Sequence, residues 1–100
     1  MEHVNHPKHY NIDGRDECIV EIEKKYGKYI LVVFCLTNAY KYLYRVGLKD
    51  DNPAQRDIDK ARFYFNYVRN RSSEVCLMGR RVTQLYYDVR KALVDYDKSI

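Results

Sequence analysis

Tryptophan is absent from this chain of 100 residues, proline occurs twice and glycine four times, and the three cysteines, at 18, 35 and 76, form no CxxC pair. Each scarcity removes a class of protein. So little proline and glycine, beside 46% hydrophobic and 32% charged residues, argues against a disordered or low-complexity chain and suits a helix-rich globular domain. An odd number of cysteines among apolar neighbours argues against a disulfide framework, and Cys18, Cys35 and Cys76 read as reduced core residues. The longest apolar run, YILVVFCL at 29–36, falls far short of the roughly 20 residues that cross a bilayer. His and Asn stand near the start, where a signal peptide carries basic and then apolar residues, so the expected compartment is the cytoplasm. GxxxxGK[ST], GxSxG and HExxH are all missing, which sets aside P-loop kinases and ATPases, nucleophile-elbow hydrolases and zinc peptidases.

What is present is tyrosine, eleven of them, and a net charge of +4. The charge suits an anionic partner such as a nucleotide or nucleic acid. A tyrosine ring serves equally for stacking on a base and for filling a subunit interface. The length is that of one domain, 1–100. Hydrophobic spacing predicts four helices after an irregular arm over 1–15. The first, ECIVEIEKKY, is capped by Asp16, ends at Gly27 and turns Cys18, Ile19, Ile22 and Tyr26 to one side. The second runs over 28–46 with Val32, Cys35, Leu36, Ala39, Leu43 and Val46 as its apolar stripe, and Gly47 stops it. LKDDNPAQ is a turn, and Pro53 opens a third helix over 54–71 that buries Ile58, Ala61, Phe65 and Val68. A break at RSSEVCLMG precedes a fourth over 80–97 with Val82, Leu85, Tyr86, Val89, Leu93 and Tyr96 inward. The expected fold is all-α, a small bundle of three to four helices with an irregular N-terminal arm.

Polar chemistry gathers at three places. On the second helix Asn38, Lys41 and Arg45 fall at i, i+3 and i+7, one face that offers an amide, an ammonium and a guanidinium in the manner of a phosphate site. On the third, Asp57, Lys60, Tyr64 and Arg71 follow one side. Antiparallel packing of the two helices sets Lys41 and Arg45 toward Asp57 and Lys60, where the aspartate has four readings: orienting a cation, holding Mg²⁺ through water, accepting a hydroxyl proton, or neutralising Arg45 in a salt bridge. In the arm, VNHPKHYN carries His6, Lys8, His9 and Tyr10 around Pro7, with His3 nearby but no further ligand at a zinc-like spacing, so the expected metal set is none. The carboxylate clusters of helical pyrophosphohydrolases are also missing: the second helix has no Asp or Glu, and Glu17 with Glu21 makes only half of such a site. Arg80, Arg81, Arg90 and Lys91 on the fourth helix leave nucleic acid as a weaker alternative to a solvated basic face.

The order VNHPKHYN, ECI, NAYKYLYRVGLKD and DIDKARFYFNYV, over 4–68, resembles a family of small tailed-phage proteins, mostly of unknown function. The family includes SaV-like proteins and the conserved region of a phage nucleotide kinase. Tyr44 stands where the family often has Trp, and Val46 where Ala is usual. The resemblance implies a protein of the infected host cytoplasm that handles nucleotides, and it carries over His6, His9, Tyr10, Glu17, Asn38, Lys41, Arg45, Asp57 and Lys60. By that likeness the protein passes a phosphoryl group from a nucleoside triphosphate to a deoxynucleoside monophosphate without a P-loop, with Mg²⁺ and ATP as its cofactors. Asp57, Glu17 and His9 are then the catalytic candidates. His6, Lys8, His9, Tyr10, Asn38, Lys41, Arg45, Lys60 and Tyr64 are the phosphate and nucleotide contacts. Sequestration of a nucleotide without turnover, and binding of a host protein, remain the alternatives. A homo-oligomer is expected, because the candidate residues are spread over an arm and two helices, and no membrane partner is.

Overall fold

Apolar residues three and four apart recur through most of this sequence, and each run becomes a helix with its stripe turned inward. A computed structural model describes the backbone of residues 14–48 and 53–99 and the side chains of 18–48 and 53–97. It is an all-α bundle, with no strand among the described residues: α1 (Gly14–Arg45), α2 (Ala54–Val68), a 3₁₀ turn (Arg69–Arg71), α3 (Ser72–Cys76) and α4 (Arg80–Ser99). Among the described residues no helix is long and apolar enough to cross a membrane.

Two expected helices, 17–26 and 28–46, form one element broken inside. Gly27 has φ 92° and ψ 171°, a region of backbone space that essentially only glycine enters. A straight helix of 32 residues would run about 48 Å, longer than the molecule's 37 Å principal dimension. The break folds the long element into a small bundle. α1 begins at Gly14, which puts Asp16 inside the helix rather than at its cap. At its far end Gly47 turns the chain with φ 78°, and Leu48 N donates to the Arg45 carbonyl at 3.0 Å, closing a β-turn whose third residue needs the positive φ that glycine supplies.

Pro53 caps α2, which buries Asp57, Ile58, Ala61, Tyr64, Phe65 and Val68 against α1 and α4. The expected continuation to Arg71 does not occur. Val68 ends α2 at φ −118°, ψ 0°, and the chain tightens there into the 3₁₀ turn Arg69–Arg71. The expected break at 71–79 instead holds the short α3, anchored by fully buried Val75. Arg71, expected on the α2 face, lies in the 3₁₀ turn and pairs with Glu23 of α1 at 3.3 Å. Lys28 and Glu74 make a parallel tie at 3.0 Å. Both pairs are partly exposed, so each contributes at most about 1 kcal/mol.

The core holds Ile19, Leu31, Val32, Cys35, Leu36 and Ala39 from α1, and Val82, Tyr86, Val89 and Leu93 from α4. Leu43, Val46, Leu85 and Tyr96 pack at its edge. Of the three cysteines only Cys35 is buried, where desolvation pushes its thiol up to about 12. Cys18 and Cys76 are exposed, which corrects the expectation of three core thiols. Tyr26, expected to face inward, is 65% exposed. Cys18 sits one position from buried Ile19, about 100° around the helix, and a stripe centred on Ile19 leaves it outside.

Candidate functional site

The last two turns of α1 and the first three of α2 lie on either side of the short connection at 49–53, so their side chains meet across the α1–α2 contact. At its centre is Tyr42, 9% exposed. Its ring lies parallel to that of Tyr64 on α2, with centroids 6.0 Å apart and planes 6° apart. Tyr64 is braced edge-on by Phe34 at 6.0 Å and Phe63 at 5.2 Å. Offset and edge-to-face contacts of this kind fix ring positions as well as burying area.

Three cations converge on the Tyr42 ring. Lys41 Nζ lies 4.5 Å from its centroid, Lys60 Nζ 5.2 Å and the Arg45 guanidinium carbon 5.5 Å. The negative ring face attracts each of them, by about 0.5–1 kcal/mol at an exposed site and more where water is excluded. No two of these charges are much further apart than one Debye length, about 10 Å at 0.1 M salt, so they also repel one another. None of the three makes an ion pair among the described residues. Lys41 is exposed, whereas Arg45 and Lys60 are half-buried. The result is a fixed patch of positive charge with an aromatic floor.

The candidates read from the sequence fall into three groups. Lys41, Arg45 and Lys60 come together. Asp57 sits one helical turn before Lys60 and is 1% exposed, the buried charged residue of the described core. Asn38, half-buried, donates its side-chain amide to the Phe34 carbonyl at 2.8 Å, so its nitrogen is committed to its own helix. Tyr64 is buried beneath Tyr42 and supports the cluster from below. His6, Lys8, His9 and Tyr10 lie outside the described residues, and Glu17 falls in the first turn of α1 with its side chain outside them. Among the described residues no group of three or more His, Cys, Asp or Glu is assembled that would hold a metal ion. A single carboxylate together with substrate phosphates is a donor set Mg²⁺ accepts, and Asp57 is the described residue of that type beside the cluster.

Tyr42 is the residue the sequence did not single out. It follows Cys35 and Ala39 at core spacing, which reads as packing, yet it also sits three residues before Arg45 and next to Lys41. That adjacency was the available signal.

A family described as a protein of unknown function, DUF3310, matches residues 4–66. The chain belongs to the DUF3310 family. The match takes in the arm, α1 and most of α2, including every residue of the cation cluster, and stops short of the 3₁₀ turn, α3 and α4. No curated protein and no solved structure matches this DUF3310 chain.

Proposed function

We propose that this protein binds a nucleotide through its phosphates at the cluster of Lys41, Arg45 and Lys60. The carrying observation is the convergence of three cations on one buried tyrosine ring with no carboxylate paired to any of them among the described residues. A di- or triphosphate offsets repulsion of that kind, and Arg45 offers the planar fork that phosphate oxygens accept two at a time. The likeness of the NAYKYLYR and DIDKAR segments to a phage nucleotide kinase supports the same ligand class, and with it a setting in infected host cytoplasm.

Two forms of this reading differ in the fate of the bound nucleotide. In the catalytic form an oxygen of the acceptor monophosphate attacks the γ-phosphorus of ATP, the bond to the β-bridging oxygen breaks, and ADP leaves. Lys41, Arg45 and Lys60 neutralise charge on the transferring group, Asp57 or Glu17 would hold Mg²⁺, and His9 positions the acceptor. In the sequestering form the same cluster retains a nucleotide unchanged. Incubation with ATP, Mg²⁺ and a panel of nucleoside monophosphates and cyclic nucleotides, with chromatography before and after heat denaturation, separates them. Diphosphate that accumulates with time is expected from the catalytic form, and stoichiometric disappearance with recovery on heating from the sequestering one. A panel unaltered in both measurements, together with no binding to immobilised ATP, overturns nucleotide binding here.

A further inference from the structure

α2 has a second polar edge, which the site above does not use. Arg62, Asn66, Arg69 and Asn70 recur at i, i+4, i+7 and i+8, and so share one flank of α2 and the 3₁₀ turn. α4 brings Arg90 opposite them. Between the two elements is a cleft of about 510 Å³, within the roughly 300–1,000 Å³ typical of small-molecule sites. Phe65, Leu93 and Val94 supply its apolar wall.

The cleft is held in shape by Tyr86, 3% exposed, whose hydroxyl donates to the Arg69 carbonyl at 2.7 Å and whose ring packs on Phe65 at 5.0 Å. Burial raises the Tyr86 phenol above its ordinary range, with the charges of Arg90 and Arg69 acting against that rise. Arg69 and Arg90 both line this cleft beside Tyr86. Arg62 is held by Asp97, with Asp59 at 3.5 Å. Arg69 and Arg90 enter no ion pair among the described residues. One neutralised and two uncompensated guanidiniums thus face a polar cleft with an apolar wall. Guanidinium forks match phosphate oxygens, and a carboxamide presents the donor and acceptor that a base edge needs.

We propose that this cleft binds a nucleoside monophosphate, with its phosphate between Arg69 and Arg90 and its base on the Phe65, Leu93 and Val94 wall beside Asn66 and Asn70. The site lies on the α4 flank of α2, whereas Lys60 and Tyr64 face α1, and it stands whether or not the α1 cluster binds nucleotide. Titration of ¹⁵N-labelled full-length protein with AMP and with dTMP, each compared with inorganic phosphate, tests it. Saturable amide shifts at Asn66, Arg69, Asn70 and Arg90 are expected, with affinity about tenfold lower in Arg69→Ala and in Arg90→Ala, a loss of roughly 1.4 kcal/mol. Arg69→Lys and Arg90→Lys should recover only part of it, and Arg45→Ala should change nothing at these amides. Arg69 and Arg90 are exposed, and an unchanged dispersion of the spectrum verifies that each variant is folded. Absence of saturable shifts up to millimolar nucleotide overturns the proposal. So does inorganic phosphate binding as tightly as either nucleotide, which removes the base contact, or loss of binding in Arg45→Ala rather than Arg69→Ala.

Discussion

The two flanks of α2 use the same materials differently. Toward α1, Lys41, Arg45 and Lys60 gather over the face of Tyr42, which rests on Tyr64. Toward α4, Arg62, Arg69 and Arg90 edge a cleft bounded by Phe65 and Tyr86. The adjacent Tyr64 and Phe65, about 100° apart on the helix, each anchor one side. On the α1 side the cations are drawn onto a ring and none is matched by a described carboxylate. On the α4 side one of the three is tied to Asp97, and the space between the helices stays open. The contrast shows that aromatic support and cationic charge become a closed patch or an open cleft according to what occupies the gap between the helices.

The sharpest way to break this comparison is to remove its anchors one at a time. Tyr64→Ala and Phe65→Ala should each cost about 3–5 kcal/mol of stability, as for other buried aromatics, read from urea midpoints. Only Tyr64→Ala should also weaken ATP binding when both variants are compared at a temperature where they remain folded. The double variant Lys41→Ala, Arg45→Ala should lower ATP affinity by about a hundredfold, roughly 2.7 kcal/mol, while unfolding changes little. Equal loss of ATP affinity on removing Arg69 and Arg90 would erase the distinction between the flanks. Gly27→Ala should cost about 1–3 kcal/mol through backbone strain alone, since a Cβ there meets nothing within 4 Å. Tyr86→Phe should cost about 1 kcal/mol by deleting the bond to the Arg69 carbonyl, and it should loosen only the α4 flank.

A pH series sharpens the picture further. The Cys35 thiol rises from 9.0 to about 12 by burial, so the folded protein holds that proton more tightly than the unfolded chain. Its contribution is complete below pH 9 and is lost as pH climbs from 9 toward 12. Tyr86, also raised by burial, acts in the same direction above about pH 10. Urea midpoints should therefore fall on the alkaline side, and less steeply in Cys35→Ala. At about pH 8 a disulfide reagent should modify exposed Cys18 and Cys76 and spare Cys35.

The helices were legible because their apolar period is strong: Val32, Cys35, Leu36 and Ala39, then Ile58, Ala61, Phe65 and Val68, are buried as the spacing requires. α3 was not, since a five-residue helix exists only through the tertiary burial of Val75, and local propensity carries no record of that contact. Cys18 and Cys76 misled for the converse reason, as apolar neighbours in sequence need not be neighbours in the core. The convergence of Lys41, Arg45 and Lys60 arises from two helical periods and a short connection. The α4 flank joins residues from three elements, and although Arg62, Asn66, Arg69 and Asn70 do share a period, nothing in that period points to Arg90.

The glycine break in α1 also governs how the helix opens locally. A helix that restarts after residue 27 makes its first new bond from the amide of residue 31 to the Gly27 carbonyl, so the amides of residues 28–30 lack a carbonyl partner within that helix, as at any helix N-terminus. The longest element of the protein should therefore exchange its amide hydrogens as two units, with a rapidly exchanging gap at residues 28–30 between slower blocks. The block over 32–45, which carries Lys41, Tyr42 and Arg45 and packs on α2, can then hold its register while the segment before Gly27 opens and closes on its own.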